Sequence, residues 1–335
     1  MSKNNPPIRD WLTEFKIEFG SASNYLYNNT RQPVKINLTV EAKGDLTFLD
    51  EEVESLVIVY INNKGEHIEI PTNPGELKWH CTDSKDPLYD YFEGAAEDNK
   101  ESLGAVPAAL KSITKSYYIY TGDNHGAVLK LYAKITKYEK DPGETEPKPK
   151  YTYTSDNTPF SSSVILEAKR PPAFNFPDHY QFNLAYSESG VPEDLFVHEH
   201  SVSLKRFRFV KSAFEDNDKK GMIRWDRKEI GQTWATHVGI AGVGERKVQY
   251  QGFTLGDSFT ARENVTSSTQ DKVVILLQGA NNISYYYDSN PPSGREGPCT
   301  IHAYDSQGNK HTLSFRFEDG QRVNVALDVT VNAAD

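Results

Sequence analysis

The chain has 335 residues, 37 basic and 47 acidic, for a net charge of −10; that length holds two domains, each able to bury a core without disulfides. The negative balance repels a phosphate backbone, which excludes charge-driven binding to nucleic acid or to an anionic membrane. Hydrophobic residues reach only 37%, yet aromatics make up 12%, with 19 Tyr and 16 Phe, a bias toward pleated sheet rather than disorder.

In chain order, residues 1–10 read as a disordered start, and residues 11–19 as a first strand with Trp11, Thr13, Phe15, Ile17 and Phe19 on one face. A polar turn at residues 27–33 leads into the clearest signal of the chain, Val34–Ala42, where apolar and polar residues alternate for nine positions. That period of two predicts a strand with Val34, Ile36, Leu38, Val40 and Ala42 turned to a core, and Lys35, Asn37, Thr39 and Glu41 turned to water. Asp50–Glu54 reads as an acidic helical turn, residues 56–61 as a strand buried on both faces, and Asn62, Asn63, Lys64 and Gly65 as a hairpin turn. Residues 71–107 break the pattern and read as a long excursion loop around Trp79, Tyr89, Tyr91 and Phe92. Residues 117–120 and 127–138 resume as strands, the latter with Leu129, Leu131, Ala133 and Ile135 inward.

Residues 139–150 carry three prolines and seven charges, a composition that cannot build a core and predicts an exposed linker. The rival reading makes them the tip of a hairpin between 127–138 and 151–155. Beyond them the strand pattern recurs at 164–168, 180–186, 196–210, 248–255, 273–277, 300–304, 312–317 and 323–331, with an irregular region at 211–244. The expected fold is all-β: two antiparallel β-sandwich domains in tandem, Ig-like or jelly-roll-like, over residues 11–138 and 151–335.

Residues 27–40, together with 46–60, form a run that resembles uncharacterised bacterial tandem β-sandwich proteins. The resemblance covers under a fifth of the chain; it implies the fold and names no activity, so no functional residue is carried over from it.

The two cysteines, Cys81 and Cys299, are expected to be unpaired thiols of a protein made in a reducing compartment. The first residues lack a signal-peptide core, and no run approaches the roughly 18 apolar residues of a membrane span. Synthesis in the cytoplasm is expected, with any release by a non-classical route.

Among candidate chemistries, His198 and His200 stand two apart on a predicted strand, so both point to one face and can share a metal. His179, His237 or a carboxylate would have to supply a third ligand, and the helical His-Glu-x-x-His pattern is absent. Residues 216–221 begin like a calcium loop but place Lys220 and Arg227 where oxygen ligands are required. The glycines at 239, 242 and 244 fit no phosphate-binding pattern and suit a bend or bulge. Cys81 beside His80 has only adjacency in its favour, because neighbours on a strand face opposite sides. The aromatics Trp79, Tyr89, Tyr91 and Phe92, with Tyr285, Tyr286 and Tyr287, would suit a sugar or protein surface if exposed, and otherwise cap the sandwich ends. The sequence therefore reads as a soluble, non-catalytic binding protein without a cofactor. It would be a bacterial host-directed toxin, a surface-recognition protein or a self-associating, homo-oligomeric structural protein, its partner a protein or carbohydrate surface. The alternative is a metal-assisted hydrolase holding one divalent metal on His198 and His200.

Overall fold

The computed structural model describes residues 5–75, 77–96, 110–157, 159–190, 195–225, 234–252, 259–281, 295–318 and 321–332. Nearly all regular structure is β, and the chain divides into two compact units that meet at Pro171 and Pro172.

The first unit holds β1 (Leu12–Phe19), β2 (Tyr25–Tyr27), β3 (Val34–Ala42), the helical turn α1 (Asp50–Glu54), β4 (Val57–Ile61), β5 (His67–Glu69), β6 (Trp79–Thr82), β7 (Ser112–Thr121), β8 (Val128–Glu139), β9 (Lys148–Thr154) and β10 (Val164–Lys169). One sheet runs β1-β3-β7-β6; the other runs β2-β10-β8-β4-β5, with β9 also paired to β8. Pairing is antiparallel except between β10 and β2. Ile36, Leu38 and Val40 from one sheet join Leu131, Ala133, Ile135 and Leu166 from the other in a single apolar cluster. Two sheets that bury one face each against a shared core make a β-sandwich.

The alternation in β3 sets its inward face, but only half of its outer face meets water. Lys35 and Asn37 are buried: the Lys35 N–H donates to Ser21 Oγ at 3.3 Å, and Ser116 Oγ donates to Asn37 Oδ1 at 2.9 Å. Gly20 lies so close that a Cβ there would come within 2.8 Å of Asn37 Nδ2. In β1 the register slips between Leu12 and Glu14, so Thr13 is a bulge residue and exposed, and does not continue the face of Phe15 and Ile17. The stretch expected as one long loop contains β6, whose Trp79 pairs opposite Thr121 on β7.

Residues 139–150 do not link two domains. Glu139 pairs with Lys148 and Lys134 with Thr154, so β8 and β9 form one hairpin and the residues between them are its tip. Pro149 is accommodated because it faces Tyr138 where the register is irregular, the kind of position where a strand tolerates a missing N–H. The boundary between units therefore falls some twenty residues later, and β9 and β10 belong to the first.

The second unit holds β11 (Tyr180–Ser189), β12 (Phe196–Leu204), β13 (Phe209–Ala213), β14 (Gly221–Trp225), β15 (Ala235–Ala241), β16 (Val273–Ala280), β17 (Cys299–Asp305), β18 (Lys310–Phe317) and β19 (Val325–Asn332). Its sheets run β11-β12-β16-β15-β14 and β13-β17-β18-β19, and Val202, Val238, Ile275, Ile301, Leu313 and Phe315 share one core. A second cluster, Val197, Ala241, Val248, Val265, Val274 and Leu276, covers the other face of the five-stranded sheet. The residues expected as one strand over 196–210 form two, β12 and β13. The strand expected over 248–255 is, where described, irregular chain crossing that sheet, with an isolated bridge from Gln249 to Ile240. β14 and β15 fill what read as an irregular region. Gly239 sits inside β15 rather than at a bend, and a Cβ there would come within 2.6 Å of Val248 and the Tyr250 ring. Cys81 and Cys299 are free thiols, each buried in its own unit.

Proteolytic cleavage within residues 140–147 should leave the two pieces associated, because β9 and β10 stay paired to β8. The expected result is a nicked chain that elutes from a sizing column with intact protein; release of a fragment ending near residue 139 would show that this pairing does not hold the unit together.

Candidate functional site

His198 and His200 do share a face of β12, as strand geometry requires, but it is the face that carries Phe196, Val202 and Leu204 into the core. The His200 ring lies 5.4 Å from Phe182, and that of His198 lies 4.6 Å from Phe196. Burial, with His198 beside it, pushes the His200 imidazole down to about 4. Among the described residues, no group of three or more His, Cys, Asp or Glu side chains is arranged to hold a metal ion.

The aromatic loop of the first unit is packed down rather than presented. Trp79 is buried and donates its indole N–H to Asp123 Oδ2 at 3.0 Å. Tyr89 and Tyr91 are 6% and 7% exposed; Lys85 donates to the Tyr89 carbonyl and stands over the Tyr91 ring. Phe92 rests 4.8 Å from Tyr27 and 5.8 Å from Tyr25. Trp79, Tyr89 and Tyr91 are thus withdrawn from water, as apolar area favours, and Phe92 is half-buried. Tyr285, Tyr286 and Tyr287 lie outside the described residues.

Two buried polar constellations of the second unit were not anticipated. Asp305, His311 and Tyr180 form a chain in which His311 Nε2 donates to Asp305 Oδ2 at 3.1 Å and Nδ1 accepts from the Tyr180 hydroxyl at 2.7 Å. The order resembles an acid–base relay, but Phe174 and Phe209 close on the His311 ring at 4.8 and 5.4 Å, and all three side chains are buried. Burial and the Asp305 charge raise the Tyr180 phenol far above its ordinary value, so the hydroxyl stays protonated and the chain ties β11 to β18. His237, on the outer face of β15, stacks 4.4 Å from Tyr250 and is held down to about 4 by burial.

The open site of the first unit is a polar cleft of about 720 Å³, within the range of small-molecule sites. Each wall has a local cause. The turn between β4 and β5 is pinned by Asn62 Oδ1, which accepts the N–H groups of Lys64 and Glu66 at 2.9 Å each, with Gly65 at a φ of +78°. That turn sets His67 on the rim, where Nε2 donates to Asp156 from 3.0 Å to both carboxylate oxygens. The β8–β9 hairpin supplies Lys134, which pairs with Glu69, and Thr152 and Thr154. Residues 5–8 form a further wall, tied down by Asn5 Nδ2 to the Thr152 carbonyl at 3.0 Å and by the Tyr153 hydroxyl to the Pro6 carbonyl at 3.1 Å. Asn157 and Pro159, just past β9, complete the lining.

A smaller cavity of about 290 Å³ in the second unit is lined by Glu188, Phe196, Phe259, Thr260 and Gln278 among others. Two of its polar side chains are already committed. Gln278 donates to the Thr260 carbonyl and accepts from the Arg262 N–H, while Glu188 is paired with Arg262 at 2.8 Å. Of the two, the cleft offers more to a ligand.

The sequence matches no protein-family model, and no curated protein resembles it significantly. No described helix is long and apolar enough to cross a membrane.

Two outcomes follow from the histidines. Elemental analysis of protein purified without a metal-affinity tag is expected to find no stoichiometric zinc; zinc in equal amount to protein, lost in His200→Ala, would restore the hydrolase reading. His237 binds its proton near 6.5 in the unfolded chain and near 4 in the folded one, so between those values the unfolded state holds more protons and acid favours it. Its contribution is complete above about 6.5 and falls by roughly 2–3 kcal/mol as pH drops toward 4. Urea titrations of the protein and of His237→Gln at about pH 7 and about pH 4.5 should show a shallower loss in the variant; equal losses would assign the acid sensitivity elsewhere.

Proposed function

We propose that the protein acts by binding, and that the cleft of the first unit is where it holds a polar ligand. The observation that carries this reading is convergence: groups from four separate stretches of the first unit meet around one open space. They are the N-terminal segment, the β4–β5 hairpin, the β8–β9 hairpin and the loop after β9. Irregular chain and turns on a rigid sheet are where recognition is commonly built. Nothing comparable supports the hydrolase alternative, whose two histidines turn into packed side chains.

The test is to obstruct the cleft without touching the core. Thr152 is exposed on β9, so Thr152→Trp projects bulk into the space and leaves the apolar cluster intact. The protein and this variant would be compared on an array of immobilised glycans and on a displayed peptide library. The expected outcome is at least one binder whose signal falls tenfold or more in Thr152→Trp and is unchanged in Leu184→Ser, an exposed substitution in the second unit. Binders indifferent to Thr152→Trp would remove the cleft from the mechanism.

A further inference from the structure

We infer that the cleft takes a neutral, polyhydroxylated ligand, a short saccharide, because its charges are already cancelled while its neutral hydrogen-bonding groups are not. This rests on the reading above that the cleft is the binding site. Of its lining residues, His67 and Lys134 are the two that can carry positive charge. Each has a carboxylate in contact: Lys134 is paired with Glu69, and His67 lies between both oxygens of Asp156. An anionic ligand would have to displace Glu69 or Asp156 and then sit beside it. A cationic ligand would meet the same conflict with Lys134. Like-charge proximity of this kind is how a site rejects the wrong partner.

The neutral groups keep capacity in hand. A threonine hydroxyl is one donor and two acceptors, and a phenol is likewise both. Thr152 Oγ1 has its contact with Thr136 Oγ1, Thr154 Oγ1 accepts from Asn157 Nδ2, and the Tyr153 hydroxyl donates to the Pro6 carbonyl. Each hydroxyl still has lone pairs or a proton to offer. Asn157 has its amide oxygen, and His67, with Nε2 committed to Asp156, has Nδ1. A wall of groups that both give and accept matches sugar hydroxyls, which do the same; a phosphate or carboxylate could only accept. Pro6, Pro7 and Pro159 add rigid apolar rings at the rim, against which the C–H face of a pyranose can lie. The volume leaves room for more than one sugar ring.

The experiment uses the full chain and four trimers of comparable size, titrated by calorimetry and checked by ligand-observed NMR. They are neutral trisaccharides (maltotriose and cellotriose), anionic trigalacturonate and cationic glucosamine trimer. The expected result is saturable binding of a neutral trisaccharide, weakened tenfold or more by Thr152→Trp and severalfold by Asn157→Ala. Both ionic trimers should bind at least tenfold more weakly. Asn157 is exposed and outside any strand, so its variant keeps the test valid should Thr152→Trp disturb β9. Charge cancellation has its own readout: Glu69→Gln releases Lys134 and should raise trigalacturonate binding toward that of the neutral trimer. Trigalacturonate binding as tightly as the neutral trimers in the unaltered protein, and lost in Thr152→Trp, would overturn the inference of a neutral ligand and keep the cleft. A peptide ligand sensitive to Thr152→Trp, with no saccharide bound, would do the same. Saccharide binding indifferent to both cleft variants would overturn inference and cleft together.

Discussion

Carboxylates taken out of water hold the irregular parts of this chain to its sheets. Glu52 of α1 is fully buried; one oxygen accepts the Leu49 N–H at 3.1 Å, and the other accepts the Tyr138 N–H at 3.1 Å and the Lys137 ammonium at 2.9 Å. Glu199 of β12, also fully buried, accepts the N–H groups of Thr266 and Ser267 at 2.7 Å each. Asp305 accepts the N–H groups of Gln307 and Asn309 on one oxygen, and Asn309 Nδ2 and His311 on the other. An ion stripped of water costs several kcal/mol unless donors replace the water, and a charged acceptor strengthens each bond it receives. Where these donors sit is therefore nearly fixed: α1 against β8, the chain at 266–267 against β12, and the β17–β18 turn onto its own strand.

With loops anchored in this way, the sheets can carry long excursions without losing register. The segment that contributes Val248 and Val265 lies on the outer face of the five-stranded sheet, and Glu199 grips its far end. That cover makes β12, β15 and β16 strands with both faces out of water. Among the described residues of the first unit, no comparable cover lies over His67, Lys134 and Thr152, and a cleft is left there.

The parts of the fold legible in the sequence are strands with one wet face. β8 and the β17–β18 hairpin show their alternation because each second residue is polar, and β3 does so although Lys35 and Asn37 are buried. β15 could not be read: Ala235, Thr236, His237, Val238, Gly239, Ile240 and Ala241 are all buried, so no periodicity survives and its glycine mimics a turn. β9 was legible only in the rival hairpin reading, for the opposite reason. Its first three residues are exposed and include Pro149, so composition spoke for a linker while pairing to β8 decided the structure. The aromatic loop misled because ring content is the same whether a ring caps a core or faces a ligand. The cleft had no signature at all: its lining runs from Asn5 to Pro159, and only the hairpins bring those residues together.

The strand order of the first unit also dictates a timetable. β8 accepts β4, β9 and β10, and β2 pairs with β10, a strand about 140 residues further along the chain. On a ribosome, the edge formed by β2 therefore stays open until half the protein has been made. Contacts this distant in sequence close late and slowly, since the intervening chain must be ordered before they can form. Until then the apolar faces of β3 and β8 have only part of their cover, and nascent chains are open to pairing with one another. The strand that completes the sandwich is thus also the one whose synthesis ends its exposure to aggregation.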